Sequence, residues 1–488
     1  MQFLRRIFFY IFAAIYIVFC PLTIMYALGY IFKPGAEKGV EKTGLIYLSS
    51  APAGATVYMN SSKYTKKTPT VIQELLPAGY SIRLELNGYK QWGRTVPVEA
   101  EQATVLDKIL LLPQQFKFNN VLSGEFRDII QVPRSGFFLV KKGPLLEDIQ
   151  VYDYNGQKAW PLLEAGDPFS SYKLVSYFSV KESPFVLLVV RSGKQDRLLW
   201  VGLAEDKNEV KDITDLFSVK PQHAEWLPRK DTELFVFQEG YLNKVDVASG
   251  AVYPDYIQNV RGFGLYDNEV YVLGADNVFF KTDYDKKSEK KLLDDPTLGS
   301  SIFGEKGYFR VEVLSDDFIF FIGKNGELLA NRLPYRFVRE GVLGVEFYPQ
   351  LKQLLIWRKD RIGILDLSVE ETGEVEFEKG PALVWLYRKG KNIGQCFWVY
   401  QGSHILFRDG TDVSLVAMEE YGGTSMEHIL KVKEKSAIYY SEQTGSLYYI
   451  DPDTGNIFSV EIVPRKGVIT APFPKLKEQE EGGKPRGS

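Results

Sequence analysis

The sequence predicts an all-β protein behind one N-terminal transmembrane helix, with a small β-sandwich followed by a β-propeller of eight blades, seven being the alternative count. Three observations carry this expectation: an uncharged run near the N-terminus, short period-two runs between turns over residues 44–113, and a hairpin unit recurring through residues 116–463. A length of 488 residues gives room for two to four domains at roughly 100–200 residues each. Hydrophobic residues at 45% and charged residues at 25% match globular chains, and a mean hydropathy of −0.15 excludes a polytopic membrane protein. The 32 Phe, 29 Tyr and 42 Gly, beside only 5 Met, favour pleated surfaces and turns.

The 25 residues that begin at Ile7 and end at Ile31 hold no charge; Arg5 and Arg6 precede them and Lys33 follows. As a helix this run is about 37 Å long, enough to cross a hydrocarbon core of about 30 Å. It exceeds the apolar stretch of roughly 7–15 residues in a cleaved signal peptide, so the expectation is an uncleaved anchor. Ala27 and Gly29 form the small-x-small pair that keeps cleavage as the alternative. Phe19 before Cys20 is too bulky for a lipoprotein cleavage site. Tyr10, Tyr26 and Tyr30 suit the membrane interfaces, and Pro21 predicts a kink. The short basic tail places the N-terminus in the cytoplasm and residues beyond about 35 outside it.

Over residues 44–113 the alternating runs predict strands at 45–48, 56–59, 81–86, 96–98 and 104–112. Pro52-Ala53-Gly54-Ala55 follows the first run; then come Thr68-Pro69, Leu76-Pro77-Ala78-Gly79-Tyr80 and Asn87-Gly88-Tyr89. This order of motifs resembles the PEGA domain of bacterial envelope and surface proteins, with Ala53 departing from the Glu that names the family. The resemblance implies a small β-sandwich, often extracytoplasmic and next to an anchor or another envelope module, and it implies no catalytic residue. Pro52, Gly54, Ala55, Pro69, Pro77, Gly79, Tyr80, Gly88 and Tyr89 are therefore expected to be structural. Gly54 and Gly79 are expected to take backbone angles that a Cβ disfavours, while Pro52 and Pro77 restrict the entry to their turns.

From residue 116 to 463 an apolar run, a polar turn, a second apolar run and an Asp-x-x-x-Gly type turn recur. The clearest copies begin at Leu234, Leu354 and Ala437, and others near Phe137, Val186, Glu269, Asp317 and Phe397. An interval of roughly 35–50 residues built of strands predicts a propeller, in which radial sheets bury each other's faces. The rival arrangement, two packed β-sandwiches, gives no reason for a regular hairpin period. Trp226-Leu-Pro228-Arg-Lys-Asp231 and Phe347-Tyr-Pro349-Gln-Leu-Lys352 resemble the turn before a strand in WD-repeat-like and Tol-system propellers. Residues 464–488, rich in Pro, Gly, Lys and Glu, predict a disordered tail.

Charge narrows the partners. Residues 1–42 sum to +3, 43–113 to +2 and 464–488 to +3, so a whole-chain charge of −3 leaves −11 for residues 114–463. An acidic propeller is a poor nucleic-acid binder, because phosphate contacts dominate that affinity. Three His and two Cys leave little catalytic chemistry. His223, His404 and His428 have no second ligand at chelating spacing and are expected in packing or at the surface; Cys20 and Cys396 give no disulfide framework. Asp451-Pro-Asp453-Thr-Gly455 lacks the spacing of a calcium loop, and Ser441-Glu-Gln-Thr-Gly445 is a hairpin turn. Gly262-Phe-Gly264 lacks the third glycine and the helix of a dinucleotide fingerprint. Glu370-Glu371, Asp316-Asp317 and Glu419-Glu420 are the carboxylate pairs from which a glycosidase could draw. Trp200, Trp226, Trp357, Trp385 and Trp398 recur near strand ends, where packing between blades is expected and sugar or peptide stacking is the alternative.

The sequence therefore predicts an anchor over residues 1–35, a PEGA-like sandwich over 44–113, a propeller over 116–463 and a tail. No catalytic residue, cofactor or metal is expected. The expected role is extracytoplasmic binding or scaffolding at a bacterial cytoplasmic membrane, with envelope proteins or cell-wall and surface glycans as partners and no nucleic acid. An envelope hydrolase or lyase with acidic residues at the propeller channel is the alternative.

Overall fold

The computed structural model describes residues 2–464, apart from 28–29, 33–39, 133–134, 165, 180–182, 205–207, 218–219, 228–229, 231, 294–307, 317, 332–340, 369–382 and 419–424. The described residues divide into two compact units, one formed by residues up to 116 with 462–464 and the other by residues 117–461.

The first unit begins with helix α1 (Gln2–Ala27), of which Arg5–Met25 is long and apolar enough to cross a membrane. Pro21 lies inside it, and the Thr23 hydroxyl donates to the Phe19 carbonyl at 2.7 Å. The helix starts and ends earlier than the uncharged run, closing at Ala27. Ile31 lies in β1 (Tyr30–Phe32), which pairs antiparallel with β2 (Val40–Lys42). An aromatic and β-branched triplet ahead of Pro34 favours extended backbone over another helical turn.

Seven strands follow: β3 (Gly44–Ala51), β4 (Thr56–Met59), β5 (Ser62–Lys67), β6 (Thr70–Leu75), β7 (Ala78–Glu85), β8 (Trp92–Val98) and β9 (Ala103–Leu110). They form a three-stranded sheet ordered β6-β3-β9, with β3 and β9 parallel, and a four-stranded sheet ordered β5-β4-β7-β8. Along β3, Ile46 and Leu48 are buried and alternate with half-buried Leu45 and Tyr47, so one face meets Val57, Ile82, Leu84 and Val96 of the other sheet. The sequence expectation omitted β5, whose residues are almost all polar and exposed, and β6, too short to show a period.

The second unit opens with β10 (Phe118–Leu122) and continues as antiparallel meanders, eight among the described residues. They are β11 (Asp128–Gln131), β12 (Phe137–Lys141), β13 (Ile149–Asp153) and β14 (Lys158–Pro161); β15 (Lys173–Ser179), β16 (Phe185–Ser192), β17 (Gln195–Gly202) and β18 (Glu209–Asp212); and β19 (His223–Trp226), β20 (Glu233–Gln238), β21 (Tyr241–Asp246) and β22 (Ala251–Ile257). Next are β23 (Val260–Tyr266), β24 (Glu269–Gly274), β25 (Phe279–Asp283) and β26 (Glu289–Leu293), then β27 (Phe309–Val313), β28 (Ile319–Ile322) and β29 (Leu328–Ala330). The last are β30 (Val342–Tyr348), β31 (Gln353–Arg358), β32 (Ile362–Asp366) and β33 (Leu383–Tyr387); β34 (Ile393–Val399), β35 (His404–Asp409), β36 (Asp412–Ala417) and β37 (Ser425–Lys431); and β38 (Tyr439–Ser441), β39 (Ser446–Ile450) and β40 (Ile457–Glu461).

Second strands such as β16, β20, β24 and β31 are buried on both faces, as residues 186–190 and 354–356 show, because each sheet is covered by a neighbour on either side. Fourth strands such as β14, β18 and β37 are largely exposed and lie outermost. Apolar clusters join each meander to the next, from β11–β14 with β15–β17 round to β31–β32 with β34–β36. The cluster of Phe126, Phe138 and Tyr152 with Tyr439, Tyr448 and Ile457 then joins the first meander to the last. β10 pairs antiparallel with β40, so the C-terminal sheet takes its outer strand from the start of the unit. Radial sheets closed by a shared strand define a β-propeller.

The hairpins expected at Leu234, Leu354, Phe137, Val186, Glu269 and Asp317 fall on second and third strands, whereas those at Phe397 and Ala437 fall on first and second. Asp317, Pro228, Asp231 and residues 465–488 lie outside the described residues. One junction departs from the rule: β23 and β27 pair in parallel, fusing two meanders into a seven-stranded sheet. Gly262 and Gly264 make this possible, since a Cβ at Gly262 would sit 2.2 Å from the Phe309 carbonyl oxygen and one at Gly264 2.4 Å from that of Val311.

Candidate functional site

In the sandwich the motif residues form turns. Gly54 has φ +89°, its N–H donates to the Thr68 carbonyl at 2.7 Å, and buried Ala55 exchanges backbone and side-chain bonds with Thr68. The Thr68 hydroxyl also meets that of Ser50 at 2.7 Å, and Pro52 and Pro69 both follow cis peptide bonds. Gly88 has φ +82° in the turn before Tyr89, which bridges to Pro113. Pro77 immediately precedes β7, and the Tyr80 hydroxyl donates to the Leu76 carbonyl at 3.0 Å. Gly79 corrects the expectation: it lies in β7 with no positive φ, and a Cβ there would touch only the Thr95 methyl at 3.6 Å.

In the propeller Asp451 accepts from the Thr454 N–H and hydroxyl, and Gly455 at φ +71° completes the turn between β39 and β40. His223 lies 2.9 Å from Glu225, and exposed His428 lies 3.9 Å from Asp412. His404 is buried beside Ser403, and burial pushes its imidazole down to about 4. Trp200 and Trp226 pack in one core between meanders and Trp398 in another; Trp357 and Trp385 pack against such cores. Asp316 bonds the Tyr271 hydroxyl and Lys281. The pairs Glu370-Glu371 and Glu419-Glu420 lie outside the described residues. Among the described residues no group of three or more His, Cys, Asp or Glu is placed to hold a metal.

First strands of neighbouring meanders approach each other, as β30 and β34 do. Between β11, β30, β34 and β38 they enclose a cavity of about 780 Å³. Its wall is aromatic, with Tyr348 and Trp398 at 5.6 Å between ring centres and Phe397 facing Tyr440 at 6.4 Å. The Trp398 indole donates to the Glu346 carbonyl at 2.9 Å. Gln131 donates to the Ile438 carbonyl at 2.6 Å, tying β11 to the segment before β38. Glu346 is half-buried, whereas Glu442 and Gln443 are exposed at the rim. Burial, with Glu346 beside it, pushes the Cys396 thiol far up; burial and Glu442 do the same to Tyr440. A thiol held protonated is a poor nucleophile. Among the described lining residues none is Lys, Arg or His.

Sequence inspection missed this site. Gln131, Glu346, Gln395 and Glu442 are far apart along the chain; Trp357 and Trp398, the turns at 347–352 and 441–445, Phe397 and Cys396 were each singled out in the sequence, but as packing, turn, strand or unpaired-thiol features and never as one site.

Residues 43–111 match the PEGA domain family. No curated protein matches the chain. Among solved structures, the β-propeller domain of Cps50 (Swd1) from Myceliophteria thermophila is 12% identical, covers 71% of this chain and 99% of its own, and gives a TM-score of 0.35. Hsv2 of Kluyveromyces lactis is 9% identical over 63% of this chain and 98% of its own, with a TM-score of 0.38. The Dos1 propeller is 12% identical over 71% and 94%, with a TM-score of 0.44. The propeller assignment rests on the meanders and the closing strand of this chain.

Proposed function

We propose that this protein is a membrane-anchored, extracytoplasmic binding or scaffolding protein of a bacterial cell envelope. In this account α1 is an uncleaved single-pass anchor with its N-terminus in the cytoplasm, and the sandwich and propeller lie outside. The propeller counts eight blades, with β23–β26 and β27–β29 as separate blades bridged by the parallel pair, and is of the WD-repeat-like or Tol type. Envelope proteins or surface glycans are its partners. The observation that carries the reading is the cavity at the first strands, with aromatic, amide and carboxylate groups converging in a closed ring. Fractionation of producing cells tests the anchor: the full-length chain stays with membranes through a high-salt wash and is released by detergent, and a soluble chain would refute it. Protease added to intact spheroplasts degrades the large region if the orientation is right.

Glu346 and Glu442 at one cavity also favour a second reading, an envelope hydrolase or lyase. Release of reducing ends from cell-wall glycan by the wild-type chain and not by Glu346→Gln would support it.

A further inference from the structure

We propose that the outer face of the sandwich's four-stranded sheet rests on the anionic phosphate headgroups of the bilayer that α1 crosses. The inference rests on the anchor reading above and adds a second, electrostatic contact to it.

Charge within the sandwich is sorted by sheet. The strands β4, β5, β7 and β8 carry Lys63, Lys66, Lys67, Arg83 and Arg94 against Glu85 alone, whereas β3, β6 and β9 carry Lys108 against Glu74 and Asp107. On the basic sheet the register sets Lys63 of β5 opposite Tyr58 of β4, and Tyr58 opposite Arg83 of β7. The three form a row across the outward face, while Val57, Ile82 and Leu84 turn to the core. The Arg83 guanidinium lies 4.3 Å from the centre of the Tyr58 ring, and Glu85, the one carboxylate on these strands, stands 3.6 Å from Arg83. Lys67 pairs with Thr56 in the next row, and Lys66 precedes it on the edge strand. Lys63, Lys66 and Lys67 are exposed, and among the described residues none bonds or pairs with their ammonium groups.

Three ammonium groups without a counter-charge, beside a tyrosine, fit a phosphate-rich plane. Lysines also keep an edge strand from pairing, but Tyr58 and Arg83 belong to inner strands, where no edge needs protection. The bilayer is the anionic surface within reach. α1 ends at Ala27 and β3 begins at Gly44, so sixteen residues, at most about 55 Å of chain, tie the sheet to it. Such a tether makes the contact intramolecular, so weak individual attractions suffice. The propeller segment, at −11, is repelled by the same surface, which leaves the contact to the sandwich.

Lysine labelling of the full-length chain in lipid nanodiscs tests this. One preparation holds phosphatidylcholine alone, the other equal parts of phosphatidylcholine and phosphatidylglycerol; neither lipid has an amine to compete for an acetylating reagent. In the anionic discs acetylation of Lys63, Lys66 and Lys67 is expected to slow at least about threefold and to recover in about 1 M salt, which shortens the screening length to about 3 Å. Lys435, whose side chain is 89% exposed in the other unit, labels alike in both preparations. Soluble polyphosphate at the same phosphate concentration lacks the tether and leaves labelling in neutral discs unchanged. Lys63→Gln with Lys67→Gln brings Lys66 in anionic discs to its rate in neutral ones. Equal labelling in the two lipids, slowing that salt does not reverse, or equal slowing by polyphosphate in neutral discs would overturn the proposal. The lipid comparison uses the wild-type chain and decides the matter even if the variant fails to fold. A chain that enters both discs and labels equally removes this inference alone, whereas one that enters neither removes the anchor reading with it.

Discussion

Gln395 and Ile438 hold each other through both polar edges: the Ile438 N–H donates to Gln395 Oε1 at 2.9 Å, and Gln395 Nε2 donates to the Ile438 carbonyl at 3.3 Å. One side chain thus acts as a short stretch of sheet between β34 and the residue before β38, at the cavity floor. Gln395→Ala leaves the N–H of a fully buried residue without its acceptor. The expected loss is about 1–3 kcal/mol in denaturant unfolding of the chain.

Gly262 and Phe309 predict a second outcome. Gly262→Ala drives a methyl into the Phe309 carbonyl 2.2 Å away, so β23 and β27 must separate. Destabilisation beyond about 2 kcal/mol is expected, whereas Gly394→Ala, with nothing within 4 Å of its Cβ, stays within about 0.5 kcal/mol of wild type. Melting temperatures of the two variants compare them directly.

His404 makes stability depend on pH. The unfolded chain binds a proton there below about 6.5, the folded chain only below about 4, because burial excludes the charged ring. Stability is therefore full above about 6.5 and falls as pH drops toward 4, by about 3 kcal/mol. In His404→Gln, unfolding followed across that window loses this part of the slope.

Phe138 reads the closure of the ring. Its ring centre lies 5.0 Å from Tyr152 of its own meander and 5.1 Å from both Tyr439 and Tyr448 of the last. Phe138→Ala is expected to cost about 3–5 kcal/mol, and amide hydrogen exchange should rise in β10 and β40 together.

The hairpins were legible because second and third strands are buried on both faces and read as apolar runs, such as residues 186–190. First strands were not. β30 and β34 carry Gly344 and Gly394 and mix Glu346 and Gln395 with aromatics, because one edge packs and the other lines the cavity. Outer strands such as β18 look like polar loops. In the sandwich, Pro52, Gly54 and Gly88 announced turns through backbone geometry that sequence expresses directly, while Gly79 looked the same and sits in an ordinary strand. The cavity was illegible for a topological reason: ring closure brings Gln131 to Ile438 across 307 positions.

The most direct test places a photocrosslinking residue in intact producing cells at Gln443, on the cavity rim, and at exposed Tyr253, on outer strand β22. The account predicts a discrete protein adduct from position 443 and none from position 253. Adducts from position 253 alone, or from neither position, would contradict it.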